Sequence, residues 1–235
     1  SLDKFPFACF SFGTTQSFDM FYLEHNKRRF RAFKGEYLYH QLSWRNNFPN
    51  WCFIEDADLD SNDAVVLSYP FSDNGGKHPA MDGLLEECNR LKIPLLMDCT
   101  YFGTCHQVSI DFDHPCIEVI TFALSKPFAL GHARLGIRLT RIDNDDPMFV
   151  YQKLNYANRI GQMVGNAVIQ NFGPDFIYKK YHRLQNKFCQ EMNLIASDTV
   201  LFGLGGEDYN QYNRGGQWHR ICLTTLYEEK MEESK

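Results

Sequence analysis

The sequence of 235 residues has little of what marks membrane, secreted or nucleic-acid-binding proteins. No run approaches the roughly 18 apolar residues of a membrane-spanning helix, and the first residues lack the apolar core of a signal peptide. The eight cysteines form no C-x-x-C pair and no Asn-x-Ser/Thr sequon occurs, which argues against a disulfide-stapled secreted domain. A net charge of -5 gives no general attraction to phosphate backbones or anionic lipid. We therefore expect reduced thiols, a cytoplasmic setting, and neither a nucleic-acid nor a membrane partner.

What is present is the composition of an ordinary folded protein. Hydrophobic residues make up 44% of the chain and charged residues 23%, which is too apolar for intrinsic disorder. The length suits one large domain, or one domain with a small appendage. The chain begins at Ser1 rather than at Met, which leaves open whether residues precede it. Small-molecule binding or catalysis remains the open class of function.

Short apolar runs alternate with helical patterns along the first 140 residues. One helix is expected from the Thr14 region to His25, and another over 78–92, where Met81, Leu84 and Cys88 recur at helical spacing. The runs of strand character cover 4–12, 29–33, 51–54, 64–68, 93–97, 117–123 and 133–140. This alternation predicts an α/β fold with a central, mostly parallel sheet flanked by helices.

The last third of the chain has a different pattern. The run Asp143 to Pro147 predicts a linker, and two long helices are expected over 148–171 and 174–193. The tail contains two strand candidates, 199–202 and 219–223, around a loop over 203–216. We therefore divide the chain into a large domain over 1–142 and a helical connection with a reduced C-terminal domain over 148–235.

Polar side chains end several of the apolar runs. In open α/β sheets, ligands bind beyond the carboxyl ends of the strands. By itself Asp98 is as compatible with a turn cap as with a functional acid, and a single Lys126 is usually a solvated loop lysine. The strand ends supply four polar segments, which are 13–15, 68–76, 98–101 and 125–134. Their order and spacing together favour a ligand site at this edge of the sheet.

The chain contains Asp98-Cys-Thr-Tyr101-Phe-Gly and, further on, Ser125-Lys126-Pro-Phe-Ala-Leu-Gly-His-Ala-Arg134-Leu-Gly. This pattern resembles the class I/II aminotransferases, the fold type I enzymes that use pyridoxal 5'-phosphate. The resemblance covers most of residues 10 to 140. It implies that the domain over 1–142 binds pyridoxal phosphate and that an amino group moves between an amino acid and a 2-oxo acid. It also implies a homodimer with the site near the interface.

The resemblance implies a role for each catalytic residue. Lys126 would form a Schiff base with the cofactor aldehyde and move a proton during the reaction. Asp98 would keep the pyridine nitrogen protonated, because a buried carboxylate beside it favours the charged form. Tyr101 would donate a hydrogen bond to the 3' oxygen of the cofactor.

The remaining cofactor and substrate contacts are implied in the same way. Tyr37, in Gly-Glu-Tyr-Leu-Tyr, resembles the aromatic residue that stacks on the cofactor ring, although a packing role in the core or in an edge strand is equally compatible with it. Arg220 resembles the arginine that grips the substrate α-carboxylate, and Arg214 is a neighbouring alternative. The phosphate contacts are expected from the helix start and the two later loops, with Gly13, Thr14, Thr15, Ser125 and Arg134 as candidates.

Two substitutions and the chain length depart from the family pattern. Ala123 occupies the place of a Ser or Thr that contacts phosphate. In the loop similar to Asn-Pro-x-Gly, Ser72 replaces the Asn, so the contact to the 3' oxygen comes from Ser72, from Asn74 or from neither. The chain is also shorter than family members, without an N-terminal arm and much of the small domain.

Other functions remain open or are rejected. The same cofactor set serves decarboxylases, lyases and racemases, and a degenerate homologue would act as a non-catalytic binding module. The glycines over 203–206 do not predict a dinucleotide loop, because no helix is expected after them. No metal is expected, since the spacing fits no zinc pattern at Cys105, His106, His114 and Cys116.

Overall fold

A seven-stranded sheet forms the centre of the computed structural model, which describes residues 2–48, 50–106 and 108–232. Its strands lie in the order β1-β7-β6-β5-β4-β2-β3, and only β7 runs antiparallel to its neighbours. The predicted mostly parallel sheet is therefore confirmed. The strands are β1 (Phe7–Ser11), β2 (Arg29–Ala32), β3 (Trp51–Phe53), β4 (Asp63–Ser68), β5 (Leu95–Asp98), β6 (Ile117–Ala123) and β7 (Gly136–Thr140).

Helices cover both faces of this sheet. On one face, α3 (Met81–Leu91) packs its buried side chains against β4 and β5. On the other face, Phe18 of α1 (Thr14–Glu24) and Trp44 of α2 (Leu38–Asn47) pack against the same strands. Because β4 and β5 are buried on both sides, their sequences are continuous apolar runs rather than alternating ones.

The helices after the sheet differ from the single long helix expected over 148–171. The segment forms α4 (Pro147–Lys153) and α5 (Arg159–Asn171), separated by a turn in which Asn155 has a left-handed φ of 63°. The Asn158 side chain accepts the Gly161 N–H and so begins a new helix. The next helix, α6 (Phe176–Glu191), lies within the range predicted for it.

A second, three-stranded antiparallel sheet lies in the C-terminal region. It consists of β8 (Ile195–Ala196), β9 (Phe202–Gly205) and β10 (His219–Cys222), in the order β10-β9-β8. The strand expected over 199–202 begins only at its last residue, and part of the expected loop is β9 itself. The last element of the described residues is a helix that the sequence did not predict, α7 (Thr224–Glu232). The apolar sides of this sheet, α6 and α7 share one small core.

The C-terminal region packs directly on the loops at the carboxyl ends of the large sheet. The Ser197 hydroxyl donates a hydrogen bond to the Asn74 carbonyl at 2.7 Å. The Thr104 and Thr199 hydroxyls lie 2.6 Å apart and share a hydrogen bond in the interior. These contacts bring β9 and β10 beside the strand ends where the sequence predicts a ligand site.

The eight cysteines form no disulfide with one another. Within the described ranges, no helix combines the length and the apolar character needed to cross a membrane.

Candidate active site

A pocket of about 300 Å³ opens at the carboxyl ends of the central strands. Ten of the twelve residues named from the sequence line it, which are Thr14, Thr15, Tyr37, Ser72, Asp98, Tyr101, Ser125, Lys126, Arg134 and Arg220. The wall is completed by Ser68, Thr100, Gly131 and Arg214. Residues up to 206 positions apart in the chain therefore meet in one cavity.

Asp98 is the buried acid of the pocket. It is the last residue of β5, and its Oδ1 accepts hydrogen bonds from the Thr100 N–H at 3.0 Å and the Thr100 hydroxyl at 2.6 Å. Burial raises the pKa of Asp98 to about 6, while the hydrogen bonds from Thr100 act in the opposite direction. A cationic group in the pocket would favour the ionised carboxylate.

Lys126 is the amine of the pocket. It follows β6 by three residues, in a turn where the Phe128 N–H donates to the Leu124 carbonyl. The Lys126 side chain is exposed to the pocket and makes no hydrogen bond or ion pair with any residue that the structure describes. Its amine is therefore free to react with an electrophile in the cavity.

A corner that suits an anion lies at the start of α1. Thr14 and Thr15 form the first turn of this helix, whose N-terminal N–H groups and dipole favour negative charge. The Arg134 guanidinium lies beside them and donates to the Phe12 carbonyl at 2.9 Å and to the Thr15 hydroxyl at 3.4 Å. Gly13 does not line the pocket. Its φ of 82° and lack of a side chain instead leave room for Arg134.

Tyr37 forms part of the pocket wall but does not belong to a strand. It immediately precedes α2, so the alternative of an edge-strand aromatic is wrong. Its ring is 41% exposed and stacks on the ring of Tyr39, with centroids 6.0 Å apart and planes at 16°. An exposed aromatic face at the pocket is available to a flat ligand.

The loop after β4 brings Ser72 to the pocket and holds Asn74 away from it. Ser72 is buried and lines the cavity. The Asn74 side chain is bound within its own turn, where its Oδ1 accepts the Gly76 N–H and its Nδ2 donates to the Lys77 carbonyl. Of the two residues proposed for this contact, only Ser72 lies in the pocket.

Ala123 lies at the end of β6, outside this pocket. It is buried and lines a separate apolar cavity with Leu124 and Leu135. The pocket is therefore lined without this residue, which replaces a Ser or Thr of the family pattern. Among the lining residues, Ser125 has the hydroxyl that lies nearest to Ala123 in the sequence.

Two arginines enter the pocket from the C-terminal region. Arg220 in β10 lies with its guanidinium carbon 4.2 Å from the centroid of the Phe202 ring, and it donates a hydrogen bond to the Ser72 carbonyl. Arg214, in the preceding loop, lines the same wall. The structure thus brings together both residues considered for carboxylate binding.

Sequence reasoning included Ser68 and Thr100 in the polar segments at the strand ends but gave neither residue a role in the site. Ser68 ends β4 directly opposite Asp98, which ends β5. Thr100 follows Asp98 by two residues, the spacing at which a hydroxyl and an N–H can both bind the carboxylate. The pattern Asp-x-Thr after a buried strand is the sequence feature that indicates this contact between Thr100 and Asp98.

The fold of this chain is similar to the folds of several solved structures. The chain is similar to tyrosine aminotransferase from Leishmania infantum, with 14% identity, a TM-score of 0.64, and coverage of 96% of this chain and 74% of that one. L-threonine-O-3-phosphate decarboxylase from Porphyromonas gingivalis has 16% identity, a TM-score of 0.67 and coverages of 97% and 83%. The PLP-bound C-S lyase from Staphylococcus hominis has 8% identity, a TM-score of 0.63 and coverages of 84% and 60%. No protein-family model and no curated protein sequence matches the chain.

These likenesses show that the chain has the fold of the fold type I pyridoxal-phosphate-dependent enzymes, in agreement with the expectation from the sequence. The three similar proteins are an aminotransferase, a decarboxylase and a lyase by name. The fold therefore defines the structural class, and the reaction has to be argued from the side chains of the pocket.

Proposed function

We propose that this protein binds pyridoxal 5'-phosphate in the pocket and moves an amino group between an amino acid and a 2-oxo acid. The observation that carries the proposal is the meeting of Lys126, which has no partner among the described residues, with the buried Asp98 and with Arg134 at the start of α1. When bound, the cofactor supplies an aldehyde and an electron-withdrawing ring.

The donor set of the pocket fits this cofactor. An amine suits the aldehyde, a buried carboxyl group suits a protonated ring nitrogen, and a helix N-terminus with a guanidinium suits a phosphate. Tyr37 offers an exposed ring face for stacking. The volume of about 300 Å³ is at the lower end of the range for small-ligand sites.

The titratable side chains of the pocket suit the proton transfers of this reaction. The amine of Lys126 would accept the proton from the substrate α-carbon and return it at a neighbouring position. Asp98 in its ionised form would hold the proton at the ring nitrogen. Burial, together with the charge of Asp98, raises the pKa of Tyr101, so that its hydroxyl remains a hydrogen-bond donor at neutral pH.

Arg220 is proposed to bind the substrate α-carboxylate. A guanidinium has five N–H donors in a planar fork that matches a carboxylate at two points. The hydrogen bond to the Ser72 carbonyl and the contact with the Phe202 ring hold the Arg220 side chain in position. Arg214 is the alternative in the same wall, and the variants described below separate the two.

We also propose that the protein acts as a homodimer in the cytoplasm. The α5 helix exposes large apolar side chains, with Ile160 78% and Met163 73% exposed. A surface of this kind favours a partner subunit. Eight free thiols are compatible with a reducing compartment.

The first experiment tests the cofactor and its attachment. Addition of pyridoxal phosphate should change the visible absorbance of the mixture, and borohydride reduction followed by peptide mapping should place the pyridoxyl group on Lys126. The matched control is Lys126→Arg, which keeps the charge and should not be labelled. Label on another lysine, or no label at saturating cofactor, would contradict the assignment.

The second experiment tests the reaction. Amino acids are added in turn with a 2-oxo acid, and the products are separated by mass. A new amino acid and a new 2-oxo acid in equal amounts indicate amino transfer. Release of carbon dioxide or of a thiol would instead indicate a decarboxylase or a C-S lyase, and inversion of the amino acid without a change in mass would indicate a racemase. Firm cofactor binding with none of these outcomes would indicate a binding module.

A further inference from the structure

A second buried carboxyl group, that of Glu36, lies behind the pocket and has no part in the roles described above. Glu36 is only 3% exposed and comes directly before Tyr37. Its Oε1 accepts hydrogen bonds from the Ser68 hydroxyl at 2.6 Å and from the Tyr37 N–H at 2.9 Å. Its Oε2 accepts the Ser68 N–H at 2.9 Å. Two hydrogen bonds thus join the Glu36 carboxyl group to Ser68, which lines the pocket.

Ser68 stands between Glu36 and Asp98. The strands β4 and β5 pair in register so that Ser68 lies opposite Asp98 at the strand ends. The hydroxyl of Ser68 has a single proton, which it donates to Glu36. Asp98 receives hydrogen bonds from Thr100, and the Ser68 hydroxyl also interacts with it and lowers its pKa. The two carboxyl groups therefore compete for one bridging proton.

Neither carboxyl group is paired directly with a cation. Within the described part of the chain, Glu36 and Asp98 form no ion pair, although a lysine and three arginines line the same pocket as Asp98. The other titratable groups that face the pair are Tyr22 from α1, Cys99 next to Asp98, and Tyr101 from the loop after β5. Burial raises the pKa of all three, which keeps them neutral. Two buried negative charges without a cation are costly, so one of the carboxyl groups should hold a proton.

We propose that Glu36 is a positioning residue of this site, which takes up one proton through the Ser68 hydroxyl and thereby allows Asp98 to face a protonated ring nitrogen as a carboxylate. The identity of that ring rests on the proposed function. The coupling between Glu36 and Asp98 is a property of the protein itself.

The proton transfer balances without any other reactant. While Glu36 is ionised, Ser68 donates to it and turns its oxygen lone pairs toward Asp98, which favours a protonated Asp98. In the exchange, Asp98 gives its proton to the Ser68 oxygen as the Ser68 proton passes to Oε1 of Glu36. Protonated Glu36 then donates to Ser68, and the Ser68 hydroxyl is free to donate to the Asp98 carboxylate.

The pKa shifts of both acids agree with this arrangement. Burial raises the pKa of Glu36 to about 7, and the negative charge of Asp98 contributes in the same direction. Burial raises the pKa of Asp98 to about 6. Both shifts favour a carboxyl group that keeps a proton, and the proposal assigns that proton to Glu36.

The test is a pH titration of the full chain, monitored by NMR on protein labelled with carbon-13 at the Asp and Glu carboxyl groups. The midpoint of each carboxyl group is the pH at which it is half ionised. In Asp98→Asn, the Glu36 midpoint should fall by about one pH unit, a tenfold weaker proton affinity, because the negative charge of Asp98 no longer raises it. In Glu36→Gln, the Asp98 midpoint should stay close to that of wild type, because Glu36 already holds its proton when Asp98 ionises. Ser68→Ala should raise both midpoints, since each carboxylate loses a donor.

The controls separate this inference from the proposed function. Asp82, on α3, has a side chain that is 70% exposed, and Asp82→Asn should leave both midpoints unchanged. Equal Glu36 midpoints in wild type and Asp98→Asn would overturn the coupling, and a large fall of the Asp98 midpoint in Glu36→Gln would assign the proton to Asp98 instead of Glu36. If Asp98→Asn does not fold, the Glu36→Gln titration still tests which acid holds the proton.

Pyridoxal phosphate is then added to wild type, where Asp98 should ionise while Glu36 keeps its proton below its own midpoint. An ionised Glu36 beside a protonated Asp98 on saturated protein would overturn the positioning role. Failure to bind pyridoxal phosphate would contradict the proposed function while the coupling without ligand is still measured.

Discussion

The guanidinium of Arg134 occupies the space in which a side chain at Gly13 would have to lie. A Cβ built on Gly13 would come within 2.3 Å of Nη2 of Arg134, far inside van der Waals contact. Gly13 also has a φ of 82°, a conformation that residues with a side chain rarely adopt. The absence of a side chain at one position thus sets the place of a cation at another, in the corner proposed for the phosphate.

Replacing Gly13 by alanine should displace Arg134 and weaken pyridoxal phosphate binding by tenfold or more. Because its ψ is 174°, Gly13 lies in a region that is essentially restricted to glycine, and the backbone strain alone should cost about 1–3 kcal/mol of the free energy of unfolding. Cofactor titration monitored by absorbance measures the affinity, and urea unfolding measures the stability.

Gly83→Ala is the matched control, because a Cβ there meets nothing within 4 Å and Gly83 lies inside α3. That variant should gain about 0.5–1 kcal/mol and bind cofactor normally. An unchanged affinity of Gly13→Ala for pyridoxal phosphate would show that Arg134 does not bind the phosphate.

Asp98→Asn should retain a folded pocket and lose most of the turnover. The amide has nearly the same shape and can still accept hydrogen bonds from Thr100, but it cannot hold the ring nitrogen protonated. We expect a loss of roughly two to three orders of magnitude in kcat, equivalent to about 3–4 kcal/mol in the activation barrier. Steady-state kinetics at saturating cofactor provide the measurement. Wild-type turnover in the variant would mean that Asp98 only caps the end of β5.

Arg220→Lys should weaken amino-acid binding far more than cofactor binding. A lysine keeps the charge, but it does not reproduce the planar fork or the stacking on Phe202. The two affinities are measured by titrating substrate and cofactor separately, with Arg214→Lys as the matched comparison in the same wall. If Arg214→Lys alone loses substrate affinity, the carboxylate contact belongs to Arg214. If Arg220→Lys loses affinity for the amino acid and for the cofactor to the same extent, Arg220 serves the packing of β10 and does not bind the carboxylate.

The stability of the protein should depend on pH through Asp73. This carboxyl group is 1% exposed, its Oδ2 accepts the Trp218 N–H at 3.2 Å, and burial raises its pKa to about 6. Since the ordinary pKa is about 4, the folded protein keeps a proton between pH 4 and 6 that the unfolded chain has lost. The free energy of unfolding should therefore fall as the pH rises through this window.

Asp73→Asn isolates this contribution because the amide does not titrate. Relative to the variant, wild type should lose about 2 kcal/mol of unfolding free energy between pH 4 and 7. Urea unfolding at several pH values measures the difference between the two proteins. A difference that stays constant with pH, or that changes in the opposite direction, would show that Asp73 is not protonated in the folded state at low pH.

Local sequence patterns were sufficient to predict the centre of the fold, and the resemblance to the aminotransferases named most of the residues that line the pocket. The strands β4 and β5 are continuous apolar runs because helices bury both of their faces, and α3 shows the period of a helix with one buried side. The polar residues that end such strands must meet at one edge of a parallel sheet, so the order of Asp98, Lys126 and Arg134 in the chain carried information about their positions in space.

Other features were decided by contacts that no local pattern records. The α2 helix has only two buried side chains, His40 and Trp44, and therefore shows no apolar stripe that would predict it. Asn74 belongs to the matched loop, yet bonds within its own turn hold its side chain out of the pocket. The turn between α4 and α5 depends on how a side chain caps the next helix.

The approach of Arg220 to Ser72 joins residues 148 positions apart, and Glu36 meets Ser68 across 32 positions. Periodicity and spacing report which residues share one element, because they follow from the repeat of the backbone within that element. They do not report which elements pack together, because that choice depends on the complementary shapes, charges and hydrogen bonds of distant segments. The sequence by itself therefore determined the sheet and its row of polar ends, and the tertiary structure decided which arginines and which second carboxyl group lie beside them.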